Sequence, residues 1–596
     1  MDSNILSVDG NSEQDSVGAD REIIRRKIGE YRINNLENHE ALVKSTRHLN
    51  QLIPAALLPP EILADIFYIC SLFYYEDHRD PIFEYRCKKW TSISHVSHVS
   101  HHWRNIALSS PHLWSNIIIT FNTDCLKTCL LRSAEIPLSV YLEDEDSHDR
   151  KRSDLLCVFN ILAEHLHRMQ SLHVSTATPF LGTLSSLLHV SKAPILQSLT
   201  LRSEVQSEFQ SMLLRQLFRC IATPSLTQLS ILDSQYDWLK LEYPRTLVKL
   251  EIHYWDADTT PSYAEGADFL THALGVLKNL PLLQYLDLSD VFPSYGTGFP
   301  DLEQTSFPAL KEIRLDGWAP PIVHLYSHMT LSSSAILHFT LTYNSTEDWV
   351  QQHSKLSQCM FSHLKGAPNT DENSLRIILS SEAGFGCYVS LYAWKACPNV
   401  LRPKGTVAWG PPALQCSKAQ HVPDIDISID IFGDPEEELE EEPDAVLNVF
   451  LDQLASEIPL DKLETINISD IHSHLPVLKM ISFSPKLSHI CLDSDASLDE
   501  FLDIFEMGDK NMRFPALRSL EIGHYGPIEG IADGAPAAGR KRLERLCELL
   551  ASWKDNGRRL KSVILRSRKT EFQALADIAK SLESLVDFFE LLPRGD

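Results

Sequence analysis

Four histidines, His95, His98, His101 and His102, crowd into one short stretch. On a helix His95, His98 and His102 share a face, and imidazoles at i, i+3 and i+7 can chelate zinc. Val96, Val99 and Trp103 are interleaved with them and claim the buried side, so the rings are expected to be solvated beside an apolar stripe. There their protonation could tune a contact between pH 5 and 8. A second candidate is Asp424-Ile-Asp-Ile-Ser-Ile-Asp-Ile, whose oxygens resemble those of a calcium loop. Such a loop needs a Gly at its sharp turn and a closing Glu at its twelfth position. Ile429 stands at the turn, and an alternating strand spreads its oxygens along a line. Gly534-Ala-Pro-Ala-Ala-Gly-Arg-Lys541 has the glycine spacing of a phosphate loop but lacks the Gly-Lys-Ser/Thr that reaches phosphate and magnesium. Gly384-Phe-Gly386 alone makes no dinucleotide site, and neither His-Glu-x-x-His nor Gly-x-Ser-x-Gly occurs. Catalytic residues, cofactors and metal ligands are therefore not expected, and the chain reads as a non-catalytic binder.

The elements that would present such a binder are legible around residue 60. Leu58-Pro-Pro-Glu-Ile-Leu-Ala-Asp-Ile-Phe67 opens with prolines ahead of or within a first helical turn, where a missing N–H costs nothing. Ile62, Leu63, Ile66, Phe67 and Ile69 then fall on a broad apolar helical face. A second block, Val99-Ser-His-His-Trp-Arg-Asn-Ile-Ala-Leu108, repeats the arrangement, with Val99, Trp103, Ile106 and Ala107 on one stripe. Pro111 and Trp114 follow. Trp103, the largest apolar residue of the block, is expected to fill the core. Helices this short need a neighbour to be stable, which suits a docking module.

The pairing of Leu58–Phe67 with Val99–Arg104 and Pro111–Trp114 resembles an F-box, whose pattern is Leu-Pro-x-Glu-Ile-Leu-x-x-Ile-Phe, Val-Cys-x-x-Trp-Arg and Pro-x-Leu-Trp. Ser100 stands where the family usually has Cys, and residues 71–91 lengthen the spacer. The likeness extends to F-box-like proteins of mushroom-forming fungi, which carry a helix in front and repeats behind. It implies binding to the linker subunit of a cullin–RING ubiquitin ligase. Leu58, Pro59, Pro60, Ile62, Phe67, Val99 and Trp103 match the family positions that meet that subunit or support the helix that does.

The net charge of −26 argues against nucleic acid, because phosphate binding needs a basic footprint. Twelve cysteines without a Cys-x-x-Cys pair suit reduced thiols in the cytoplasm or nucleus. The start lacks the basic and apolar regions of a signal peptide. No stretch approaches 18 uninterrupted apolar residues, so no membrane partner is expected.

Residues 1–20 are acidic and expected to be disordered. Residues 21–53 lack proline and read as one amphipathic helix leading into the F-box-like segment, 54–118. Beyond it, the spacing apolar-x-x-apolar-x-apolar recurs within 194–201, 224–231, 245–252, 281–288, 308–315, 334–341, 462–468, 485–492, 515–522 and 559–565. The alternation at the end of each segment is that of a strand with one buried face. Helical stretches such as 267–280, 445–454 and 541–553 lie between them. A strand and helix repeating every 20 to 45 residues resemble an irregular leucine-rich-repeat array over 119–596. The other reading is a nonrepetitive α/β domain. Residues 342–444 fit poorly: they hold a hairpin around 375–379 and 387–392 and the acidic strand from Asp424. The run from Asp434 to Asp444, with eight carboxylates and no base, is expected to be a solvated loop.

The fold class expected is thus α/β: a small all-α bundle preceded by a long helix and followed by a repeat solenoid. In each repeat strand the residue between the buried pair points the other way. Those positions are Thr200, Ser230, Glu251, Asp287, Arg314, Thr340, Asn467, Cys491, Glu521 and Ile564. Glu251, Asp287, Arg314 and Glu521 are the candidates for holding an unknown protein target. The function implied is a ligase substrate receptor, with a ligase-independent leucine-rich-repeat scaffold as the alternative.

Overall fold

The structure, a computed structural model, describes residues 23–27, 39–51, 58–72, 96–119, 122–143, 152–175, 193–202, 224–232, 238–254, 266–292, 299–332, 334–343, 375–383, 386–394, 425–432, 463–470, 478–479, 481–492, 495–506, 513–525, 535–567 and 575–593. It is mixed α/β and divides into two compact units, Met1–Leu226 and Thr227–Asp596. The expected acidic tail, the 434–444 loop and most of the 71–91 insertion lie outside the described residues. Of the long leading helix, 23–27 and His39–Gln51 are helical.

In the first unit, the helix Pro60–Leu72 starts where Pro60 occupies the first helical position and Pro59 accepts the bond from Leu63 N–H, 3.1 Å. It packs on the helices His101–Ser109 and Pro111–Ser115. Ser100 has a structural role: its hydroxyl accepts from the Trp103 amide at 3.1 Å and caps His101–Ser109. Residues 96–99 are helical on the other side of that cap. Trp114 is buried, and its Nε1 donates to the Ala107 carbonyl at 2.9 Å.

The chain then runs directly into a sheet. Strands β1 (Asn116–Ile118), β2 (Leu138–Glu143), β3 (Met169–Ser175) and β4 (Ser198–Arg202) pair in that order, all parallel. The helices Thr123–Arg132 and Arg152–Glu164 connect the first three. The sheet thus begins inside the span expected for the F-box-like segment, well before the first sequence repeat. The carbonyls at the end of Thr123–Arg132 are met by one buried side chain. Arg168 donates to Leu130 O at 3.0 Å, Ile136 O at 3.3 Å, Ser133 Oγ at 3.1 Å and Ala134 O. A guanidinium with its donors in a planar fork suits that task.

The second unit carries β5 (Gln228–Leu232), β6 (Lys249–His253), β7 (Tyr285–Ser289), β8 (Thr305–Phe307), β9 (Glu312–Trp318), β10 (Met329–Leu331) and β11 (Ile336–Tyr343), followed by β12 (Leu375–Ala383), β13 (Gly386–Trp394), β14 (Ile425–Phe432) and β15 (Leu463–Asp470). It ends with β16 (His489–Leu492), β17 (Ser519–Tyr525), β18 (Ser562–Ser567) and β19 (Phe588–Pro593). Each of the ten recurring segments holds a strand. Strands β8 and β10 pair only with each other among the described residues. The rest pair in the order β5–β6–β7–β9–β11–β14–β13–β12–β15–β16–β17–β18–β19. Every pairing is parallel except the two that β13 makes. The hairpin and the acidic strand are thus present, but the acidic strand β14 lies between β11 and β13. The expectation that its isoleucines are buried concerns side chains outside the described ones.

A local device explains the recurrence. Pro194, Pro281, Pro308 and Pro515 each follow a carbonyl that accepts from an amide three residues on: Ala193 from Leu196, Leu280 from Leu283, Phe307 from Leu310 and Phe514 from Leu517. Proline presets φ for the second position of such a turn, and the leucine that closes it is buried. The chain then enters the strand, and its first amide donates to the preceding coil: Tyr285 to Val248 O, Glu312 to Gln284 O and Ile336 to Lys311 O. Two apolar columns follow on one face, Leu229–Leu250–Leu286–Ile313–Leu337 and Ile231–Ile252–Leu288–Leu315–Phe339, all buried. Burial of each such side chain contributes about 1.5–3 kcal/mol. The helix Gly266–Lys278 adds Phe269, Leu270, Ala273 and Leu277, with Phe269 edge-on to both Trp238 and Phe292.

Candidate functional site

On the helix Pro60–Leu72 the apolar residues divide between two faces. Leu63 and Phe67 are buried, while Ile62, Ile66 and Ile69 are exposed, as are Leu58 and, across from them in sequence, Val99, 56% exposed. Pro59 and Pro60 are exposed as well. Phe67 packs against Trp103, which is only half-buried. The core of the module is therefore Leu63, Phe67, Ile106, Ala107, Leu113 and Trp114. This corrects the expectation that Trp103 fills the core: it covers Phe67 and keeps an open side. Of the seven residues matched to the F-box pattern, five leave water in contact with apolar surface, Phe67 supports them from below, and Trp103 does both.

The second candidate surface is the polar face of the sheet over β5 to β11. Register places Ser230, Glu251, Asp287, Arg314 and His338 side by side. The last is His338, not Thr340, which stands beside Asp316. The alternation Leu337, Phe339, Leu341 is compatible with either frame, and only pairing to β9 decides between them.

Charges on this face are arranged in chains across strands. Lys249 Nζ lies 2.6 Å from Glu251 and 4.7 Å over the Tyr285 ring; Ser230 donates its hydroxyl to Glu251. His253 Nε2 is 3.0 Å from Asp287 Oδ1, and Arg314 Nε is 3.7 Å from Oδ2. Tyr285 OH and Ser289 Oγ each donate to Asp287 at 3.1 Å. Beyond Arg314 come Glu312 at 3.9 Å and then His338, 3.5 Å from Glu312. The sequence read across strands is His253, Asp287, Arg314, Glu312, His338. Toward the C-terminus Glu521 accepts from Arg566 Nε at 2.8 Å, with His489 4.0 Å away.

Asp287 is thus corrected from an exposed contact to a buried centre, only 1% exposed, whereas Arg314 beside it stays open. Glu251 and Glu521 are intermediate. Burial alone would raise the Asp287 carboxyl, but the close approach and charge of His253, the charge of Arg314 and the Ser289 hydroxyl hold it below its ordinary range. Burial alone would lower His253; its close approach to Asp287, with the charges of Asp287 and Glu251, raises it above the ordinary histidine value. Burial, then Asp287, push the Tyr285 phenol upward, so it stays a neutral donor. His253, Tyr285 and Glu312 escape a search that counts only the middle residue of each strand. Their signal is the next outward position, two residues away.

Among the described residues no group of three His, Cys, Asp or Glu is placed to hold a metal ion, and no helix is long and apolar enough to cross a membrane. His95 lies outside them, and His98 and His101 are exposed. The chain matches no protein-family model, and no curated protein is significantly similar to it.

Proposed function

We propose that the chain is a non-catalytic substrate receptor of a cullin–RING ubiquitin ligase. The helical module would dock the linker subunit, and the repeat strands, forming an irregular leucine-rich-repeat solenoid, would capture a protein target on their polar face. Ubiquitin transfer to the target then follows from proximity. One observation carries the docking half: Leu58, Ile62, Ile66, Ile69 and Val99 are exposed around a helix whose opposite face is packed. Helix-in-groove contacts concentrate their energy in a few apolar anchors of this kind, and the motif around them is that of an F-box. Affinity purification of the full chain, read by mass spectrometry, tests it. The linker subunit is recovered with the native sequence and lost with Leu58→Ala/Pro59→Ala. Undiminished recovery with the double variant overturns the assignment.

A ligase-independent repeat scaffold is the second reading. It is favoured by the continuity of Pro111–Ser115 with β1, which would let the helices serve as an end cap for the sheet. In that case no linker subunit is captured at all.

A further inference from the structure

His253 and Asp287 form a junction that Arg314 shares. Asp287 is buried and held by two neutral donors, Tyr285 OH and Ser289 Oγ, both at 3.1 Å. Its two basic neighbours approach unequally: His253 Nε2 stands at 3.0 Å and Arg314 Nε at 3.7 Å. Arg314 is no closer to its other carboxylate, Glu312, at 3.9 Å. Neither distance is that of a hydrogen bond, and the side chain is 47% exposed. The His253 Nε2 atom is shielded from solvent although a third of the side chain is not. The Nε2 atom lies 3.0 Å from Asp287 Oδ1 without forming a hydrogen bond, so a proton there sits beside the carboxylate and away from water, and a small turn of the ring would close the contact.

We propose that His253 is a proton-operated clasp between β6 and β7: on taking up a proton it closes an ion pair with Asp287 and releases Arg314 from that carboxylate to the open face. The groups bearing on the ring are few. Asp287 on β7 attracts the proton, as does Glu251 on its own strand, itself tied to Lys249 and to Ser230 of β5. Arg314 of β9 opposes it. Tyr285 and Ser289 on β7 hold the carboxylate without carrying charge. Deprotonated, His253 no longer neutralises Asp287, and Arg314 is the remaining cation. Protonated, His253 satisfies Asp287 at the shorter distance, and Arg314 is free to bind elsewhere.

The sign of the linkage follows. A histidine raised in the folded state contributes stability in full below its unfolded value, 6.5, and loses it as pH rises through the folded one. Each unit of elevation is worth about tenfold in the folding constant.

The test uses the full chain with ring-labelled histidine, the His253 signal being assigned by its loss in His253→Gln. In the native sequence the ring should titrate above 6.5, and in Asp287→Asn it should titrate lower. Arg314→Gln should move it higher, and keeps the proposal testable if Asp287→Asn fails to fold. Between pH 8 and pH 6 the melting temperature of the native chain should rise relative to that of His253→Gln. Titration at or below 6.5, no shift in Arg314→Gln, or parallel melting curves would overturn the clasp. None of these readouts needs a ligase or a target.

Discussion

Phe67 and Trp103 meet ring against ring, their centroids 5.0 Å apart and their planes tilted by 51°. The two are unequal partners: Phe67 is buried, and Trp103 closes over it while remaining half-buried. Phe67→Ala should therefore cost about 3–5 kcal/mol, as for a filled core site, and Trp103→Ala about 1–2 kcal/mol. Hydrogen exchange checks the ordering. Protection of the helix Pro60–Leu72 should collapse in the first variant and persist, weakened, in the second. Equal loss in both would return Trp103 to the core.

Ile62 and Ile66 lie on the open face of the same helix. Ile62→Ser/Ile66→Ser should leave stability within about ±0.5 kcal/mol per site yet abolish the proposed linker capture. A melt run beside the purification separates a lost contact from a lost fold. A destabilised double variant would mean that the stripe is covered within the chain.

Asp287 and Arg314 sit beside each other but should answer mutation very differently. Asp287→Ala strands His253 and two hydroxyl donors at a buried site and should cost about 3–5 kcal/mol. Arg314→Ala removes a loosely held, open side chain and should cost no more than about 1 kcal/mol. Urea denaturation of both variants measures the contrast. If Asp287→Ala is as mild as Arg314→Ala, the junction is not the centre of that face.

The depressed Asp287 carboxyl has its own pH signature. Its contribution is present above the ordinary value of 3.8 and is lost as pH falls through the lower folded one. Acid titration of the native chain should therefore show a loss of stability below about pH 4 that Asp287→Asn lacks. Parallel acid curves would contradict the depression.

Arg168 offers a test in the first unit. Arg168→Ala leaves three backbone carbonyls and the Ser133 hydroxyl without their shared donor and should cost at least ~2 kcal/mol. Arg168→Lys should restore little of it, because an ammonium cannot span that fan of acceptors. Full rescue by lysine would show that charge, not geometry, is what matters there.

Strand positions were legible because their causes are local. Pro281 and Pro308 preset a turn, Leu283 and Leu310 close it, and the alternation of Leu286 with Leu288 or Ile313 with Leu315 marks the buried face. Order across the sheet was not legible. Nothing within Asp424–Ile431 says that it pairs with β11, since the pairing is made over a long separation in the chain. The burial of Asp287 was hidden for a related reason. It depends on His253 one strand away and on Tyr285 and Ser289 two residues to either side, whereas the repeat pattern names only Asp287 itself. On the helix Pro60–Leu72, periodicity could not say which of Ile62, Leu63, Ile66 and Phe67 faces water.

The pairing of β11 with β14 also constrains how the chain can be made. Strand β11 ends at Tyr343, but the strand that covers its second edge begins at Ile425. Throughout the synthesis of the residues between, a nascent chain carries an uncovered row of backbone donors and acceptors, the feature that recruits stray strands. Closing so distant a pairing is slow as well. Fragments ending between residues 343 and 425 should consequently aggregate, and the chain should depend on chaperones more than a simple succession of neighbouring repeats would.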